Sequence, residues 1–275
     1  MEKHTACVKA CEGENVNPAL ALPRRKASFQ VLGVPIVTMQ IPDVIEQMKD
    51  WITSGKTCHY IAFAGLHGMS EANKHSQFKN IVRSADLAVA DGMPLVWLGR
   101  LRGHSMRRRV YGPELMETFC RETQSQYRHF FYGGSPGVAE GLATSLQERF
   151  HIVVAGSHSP PFRELTEEED NAIVNRIHEA APDVLWVGLS TPKQERWMHM
   201  HRTRLRVPVL LGVGAAFDLS SGRLRQAPEW MRENGLEWLF RLLVEPRRLW
   251  KRYLVMIPST IWSISFEIFG FRQFD

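Results

Sequence analysis

The fold of this chain turns on one stretch, Asp86-Leu87-Ala88-Val89-Ala90-Asp91-Gly92-Met93-Pro94. Its apolar residues suit a short buried strand. Asp91 and Gly92 end that strand, and Pro94 fits the opening of a helix. In an open parallel sheet, ligands occupy the crevice outside the carboxyl ends of the strands. An acid placed there is a candidate for chemistry. The competing reading of Asp91 is a helix-capping aspartate, common at strand-to-helix turns.

Outward from this stretch the same unit repeats. Towards the N-terminus, Phe29–Val37 is a β-rich run, Pro42 opens a helix ending near Gly55, Cys58–Ala64 is a strand closed by Gly65, and a helical stretch runs to Arg83. Towards the C-terminus, helices are expected over Pro94–Leu101 and Pro113–Gln124, and a strand over Arg128–Tyr132 enters Gly133-Gly134-Ser135-Pro136-Gly137. Ile152–Ala155 is the next strand. Thr166 then opens a helix to Ala180, with Glu169 at capping-box spacing. Asp183–Leu189 is a strand, Ser190–Glu195 opens a helix, and Val207–Val213 is a strand leading to Gly214-Ala215-Ala216-Phe217-Asp218. Strands alternating with helices predict an α/β fold, a parallel sheet with helices on both faces. After Asp218 the pattern is helical only. The expected division is a flexible extension over 1–27, a catalytic domain over 28–227 and a helical appendage over 228–275.

Composition narrows the class. With 44% hydrophobic residues the chain of 275 can build a large core, which excludes a mostly disordered protein. Cys7, Cys11, Cys58 and Cys120 show no CxxC spacing, so neither a zinc site nor a disulfide framework is indicated, and a reducing compartment is expected. Met1–Lys26 lacks the apolar core of a signal peptide. Tyr253–Phe271 is interrupted by Pro258 and Glu267 and falls short of the roughly 20 apolar residues of a membrane span.

The net charge of +5 is unevenly spread: Arg241, Arg247, Arg248, Lys251 and Arg252 face only Glu245 within one segment. That concentration points to a phosphate-rich ligand or anionic lipid rather than nucleic acid. Helical spacing puts 248 and 252 on one row and 247 and 251 on the next, beside Trp250, Tyr253 and Leu254. A membrane-surface helix, an anion clamp and a solvated face all fit this pattern. A second basic run, Arg100–Arg109, reads as a solvated loop. The Gly133–Gly137 turn suits a phosphate or nucleotide held against backbone N–H groups, and equally a tight turn with no ligand. It is neither a P-loop nor a GxGxxG motif.

Six ordered motifs then converge: Val89-Ala90-Asp91-Gly92-Met93-Pro94, Tyr132-Gly133-Gly134, Ser159-Pro160-Pro161-Phe162, Thr191-Pro192-Lys193-Gln194-Glu195-Arg196-Trp197, Gly212–Asp218 and Gly235–Leu242. Together they resemble the WecG/TagA/CpsF family of bacterial glycosyltransferases over roughly residues 29–255. The resemblance implies a Rossmann-like core with a helical C-terminal appendage. It also implies inverting transfer of a hexose or N-acetylhexosamine from a UDP-sugar to a polyprenyl-diphosphate-linked saccharide. The donors so implied are UDP-N-acetylmannosamine, its uronic acid and UDP-glucose; the products feed teichoic acid, common antigen, capsule or exopolysaccharide. Action at the cytoplasmic face of the membrane, as a peripheral protein, follows from the same resemblance.

By that resemblance, Asp91 matches the catalytic base, Arg109 the arginine of an Arg-Val-x-Gly element, and Gln194 the glutamine of the Pro-Lys-Gln-Glu element. Arg241, Arg248 and Arg252 match appendage arginines that neutralise a diphosphate. Gly133, Gly134, His67 and Asp218 are further candidates for ligand contact. One element departs: where the family commonly carries Thr-x-Asn, this chain reads Phe63-Ala64-Gly65. No DxD pair is present, so arginines, which bind phosphate oxygens through paired hydrogen bonds, are expected to replace a metal, and no cofactor is expected. Other classes remain to be separated by experiment: a membrane-associated scaffold without activity, a nucleotide-dependent oxidoreductase and a nucleic-acid binder. Self-association into a homo-oligomer is left open.

Overall fold

The computed structural model describes residues 27–55 and 57–268, without the side chains of Arg248, Arg252 and Val255. The expected extension therefore lies outside the described residues except for Ala27, and Cys7 and Cys11 lie outside with it. Eight strands form one sheet: β1 (Ser28–Val31), β2 (Val34–Val37), β3 (His59–Ala64), β4 (Leu87–Ala90), β5 (Arg128–Gly133), β6 (Val153–His158), β7 (Val184–Gly188) and β8 (Val209–Gly212). Their order is β1-β2-β4-β3-β8-β7-β5-β6. Every pairing is parallel except β1–β2.

That exception is where the expected β-rich run Phe29–Val37 divides into a hairpin. Leu32 and Gly33 take φ of 51° and 80°. Positive φ at both central residues is the geometry of a two-residue turn whose twist matches its flanking strands. An unbroken apolar run hides such a turn, because only Gly33 marks it.

Side chains alternate across the sheet as strand geometry requires. In β4, Leu87 and Val89 enter one core layer while Ala88 and Ala90 enter another. The first layer is closed by helices α1 (Ile41–Ser54), α5 (Gly112–Thr123), α6 (Val138–Phe150) and α9 (Ala216–Ser220). The opposite face is covered by α2 (Leu66–Lys74), α3 (Ser76–Arg83), α4 (Met93–Leu101), α7 (Glu167–Ala180) and α8 (Lys193–His201). The capping box of α7 is formed: Glu169 N donates to Thr166 Oγ1 at 3.3 Å and Thr166 N donates to Glu169 Oε2 at 2.9 Å.

The C-terminal helices are α10 (Glu229–Glu233), α11 (Glu237–Val244), α12 (Pro246–Lys251) and α13 (Ile257–Ile268), the last two joined by a π-turn over Arg252–Met256. Helix α13 lies back along the domain. Ile264 joins the core layer beneath α2, and Asn73 Nδ2 donates to Ser263 Oγ at 3.4 Å. Glu267 Oε2 accepts from Leu32 N at 2.9 Å, closing the hairpin turn from the far end of the chain. Among the described residues no helix is long and apolar enough to cross a membrane.

Candidate active site

Asp91 follows β4 at the carboxyl edge of the sheet, held there by its N–H, which donates to Ala64 O of β3 at 2.9 Å. It does not cap α4, whose N-cap is Gly92 with no side-chain cap bond. Its Oδ1 instead accepts from Gly112 N, the first residue of α5, at 3.3 Å. A helix N-terminus favours a negative charge. Its Oδ2 has no hydrogen-bond partner among the described residues. Burial raises the pKa of Asp91 above the ordinary carboxylate value, and Glu237 pushes the same way; Arg109, the Gly112 N–H and Arg241 pull it down.

Arg109 stands over this acid. Its Nη1 donates to Asp91 O at 3.4 Å, its guanidinium lies 4.0 Å from the centre of the Tyr111 ring, and its Nη2 is ion-paired with Glu237. Burial alone would disfavour the cation, but Glu237 and Asp91 outweigh it and hold Arg109 charged. The second oxygen of Glu237 accepts from Tyr111 OH at 3.1 Å. Burial, then Glu237, raises the pKa of that phenol, so it stays protonated and able to donate. Arg241 follows Glu237 by one turn of α11, near enough to act on the charge of Asp91. Two acids and two bases thus meet where the first C-terminal helices touch the sheet edge.

Glu237 is not singled out by sequence reading, because a glutamate at a helix start is the ordinary complement to the helix dipole. What sets it apart is burial: it is 9% exposed on a surface helix. The side chains of Arg248 and Arg252 lie outside the described residues, so of the three appendage arginines the structure brings only Arg241 to Asp91. Arg247 and Lys251 are exposed, with Lys251 Nζ 5.6 Å from the Trp250 ring centre.

Gln194 is the second residue of α8, just past the turn from β7, and is 3% exposed. Its Nε2 donates to Gly212 O at 2.6 Å and to Glu195 Oε1 at 3.1 Å. A Cβ on Gly212 would stand 3.0 Å from that nitrogen, so a glycine is needed for the amide to reach the end of β8. Gln194 Oε1 and Glu195 Oε2 are buried without partners. Thr191 Oγ1 donates to Glu195 Oε1 at 2.8 Å, yet burial pushes the Glu195 carboxyl up to about 6.

Gly133 and Gly134 serve the approach of β5 to β7. A Cβ on Gly133 would lie 2.5 Å from the Gly188 backbone, and Gly134 N donates to Gly188 O at 3.0 Å. His67 sits half-buried in the first turn of α2, behind Gly65. Asp218 is half-buried in α9, where its carbonyl accepts from Leu224 N at 2.9 Å. Phe63 is a core residue, opposite Val89 in the sheet, whereas a Cβ on Gly65 would meet nothing within 4 Å. Among the described residues no three metal-ligating side chains converge.

Comparison with known proteins matches this arrangement to a family. The model of the Glycosyl transferase WecG/TagA/CpsF family matches residues 29–273. The chain is similar to the N-acetylglucosaminyldiphosphoundecaprenol N-acetyl-beta-D-mannosaminyltransferase of Staphylococcus aureus strain MRSA252, 26% identical over 241 residues, covering 87% of this chain and 92% of the relative. The proteins of the same name from strains NCTC 8325 and COL show the same identity and coverage.

Proposed function

Because the chain belongs to the WecG/TagA/CpsF family of glycosyl transferases, we propose that it moves a hexose or N-acetylhexosamine from a UDP-sugar to a polyprenyl-diphosphate-linked saccharide, with inversion, in the synthesis of a cell-surface polysaccharide. The donor is of the N-acetylmannosamine type, its uronic acid, or glucose. The observation that carries the reading is Asp91. It is an acid at the lip of the sheet with one long hydrogen bond, one unpartnered oxygen and two arginines around it.

An inverting transfer needs a base to take the proton of the attacking hydroxyl, and such help is typically worth about 10²–10⁴-fold. A pKa raised by burial makes Asp91 a better proton acceptor, while Arg109 and Arg241 favour its ionised form. The diphosphate leaves with growing negative charge. Arg241, with Arg248 on the following helix and Arg252 in the turn after it, is the group we assign to that charge; guanidinium stays cationic and grips phosphate oxygens in pairs. Open space at Gly65, where the family's Thr-x-Asn element would end, leaves room beside Asp91 for a donor substituent. The name of the staphylococcal relatives supports a lipid-diphosphate acceptor. The exposed Trp250 and Leu254 beside Arg247 and Lys251 support a seat on the cytoplasmic membrane surface.

The test is a screen of UDP-sugars against lipid-diphosphate acceptors, with and without excess EDTA. Transfer that survives EDTA is the expected result. An absolute need for a divalent metal removes the assignment of the arginines, and no transfer from any donor favours the non-enzymatic scaffold.

A further inference from the structure

Apart from Arg109, the basic run Arg100–Arg109 has no part in the chemistry above, yet it does not simply face water. It forms one wall of a cleft of about 620 Å³, whose other walls are α4, the outer side of α5 and α10. Arg109 and Tyr111 line its inner end, so the cleft opens onto the pair that braces Asp91.

Its charges are unequally matched. Arg108 is paired with Glu233 and approaches Glu114 at 3.8 Å, and Glu117 is taken by Arg149 at 3.1 Å. Arg100 is engaged within the loop: its Nε and Nη2 donate to the carbonyls of Met106 and Arg107 at 2.7 and 2.5 Å and hold the basic loop in shape. Arg107 in the loop, Arg121 on α5 and Arg232 on α10 line the cleft without an ion pair among the described residues, as does one acid, Glu229. Arg232 Nε is moreover buried without a hydrogen-bond acceptor. An unmet buried donor carries a full desolvation cost. A ligand oxygen would relieve it.

Apolar side chains accompany these charges: Trp97, in the cleft wall, is 47% exposed, and Leu101 and Trp230, next in sequence to the lining residues Arg100 and Glu229, are 71% and 60% exposed. Unpaired arginines near exposed apolar side chains suit an amphiphile with an anionic head. The reaction read above handles two diphosphates, one on each substrate, and Arg241 serves only the one that leaves.

We propose that this cleft seats the diphosphate of the acceptor lipid, with Arg107 and Arg232 as its contacts and Trp97, Leu101 and Trp230 receiving the first part of the prenyl chain. The proposal rests on the glycosyl-transfer reading for the identity of the lipid. Because α10 supplies Arg232, the site exists only while the C-terminal helices lie against the body.

The test measures binding by the full-length protein without turnover, using farnesyl diphosphate, inorganic diphosphate, farnesol and UDP as probes. Farnesyl diphosphate is expected to bind, and the double variant Arg107→Ala/Arg232→Ala to weaken it by about 10-fold or more, as loss of charge-assisted hydrogen bonds predicts. Inorganic diphosphate should bind more weakly and lose affinity in the same variant. UDP affinity should stay unchanged, which also shows that the variant is folded, and the Arg→Lys pair should recover part of the loss.

Unchanged farnesyl diphosphate affinity in the alanine variant overturns the proposal, as does a loss of UDP affinity alone. Inorganic diphosphate binding as tightly as farnesyl diphosphate overturns the lipid assignment. Arginine-dependent binding in a protein that transfers no sugar would sink the reaction and leave the cleft standing.

Discussion

Two aspartates bracket β4, and their surroundings differ in every respect that matters. Asp86, before the strand, is fully employed: Oδ1 meets His59 Nδ1 at 2.9 Å, and Oδ2 accepts from Tyr60 N at 3.0 Å and Arg202 Nη2 at 3.2 Å. His59 is in turn stacked on Trp51, ring centres 4.3 Å apart. Asp91, five residues on, has one long hydrogen bond and a carboxyl raised by burial. A carboxylate with all its bonds met is a structural tie. One that is under-satisfied and raised by burial suits the proton-accepting role proposed for it, and the difference is made by the two ends of a parallel sheet, where the carboxyl end is the one that opens into a ligand crevice.

The comparison breaks most sharply under Asp91→Asn. Turnover should fall by about 10²–10⁴ with the thermal midpoint almost unmoved; a variant with near-normal turnover removes Asp91 from catalysis. Asp86→Ala should do the reverse. It leaves His59, Tyr60 N and Arg202 without their acceptor and should cost about 2–3 kcal/mol of stability, read as a lowered denaturant midpoint, while the folded fraction keeps its kcat. An activity loss beyond the folded fraction would erase the contrast between the two acids.

Glu237→Gln sharpens the picture at a smaller scale. The amide still reaches Tyr111 and Arg109 but no longer carries the charge that raises the carboxyl of Asp91. A base with a raised pKa loses activity as pH falls through that pKa. Removing the acid lowers that pKa, so the acidic limb of kcat/KM should move to lower pH. A kcat reduced by about 10-fold is expected alongside, since a loosened Arg109 misplaces the acid. The groups facing Asp91 in that profile are Arg109 from the basic loop, Gly112 N from α5, and Glu237 and Arg241 from α11. An unmoved limb would make Glu237 a tie like any other.

Much of this architecture is legible in the residues. The βα alternation from Phe29 to Asp218 depends on local periodicity, and Thr166 with Glu169 announces a capping box that the structure contains. The place of Asp91 is legible because an apolar run stops at it, before a glycine and a helix-opening proline; its role as a base is our proposal. The hairpin at Leu32-Gly33 is hidden because two short apolar strands and a two-residue turn read as one run. Gln194 shows only as a motif residue, and its bond to Gly212 O across 18 positions has no local mark.

The sequence by itself determined the elements, their alternation and the acid at the end of β4, because these follow from short-range propensity and the period of apolar residues. Tertiary structure alone decided the rest. Burying Glu237 against Arg109 and Tyr111 joins positions more than 120 residues apart, and Glu267 reaches back 235 residues to Leu32. The arginine-lined cleft exists only between loop, sheet helices and α10. Burial and long-range charge set what these groups do, and neither is a property of any one stretch of chain.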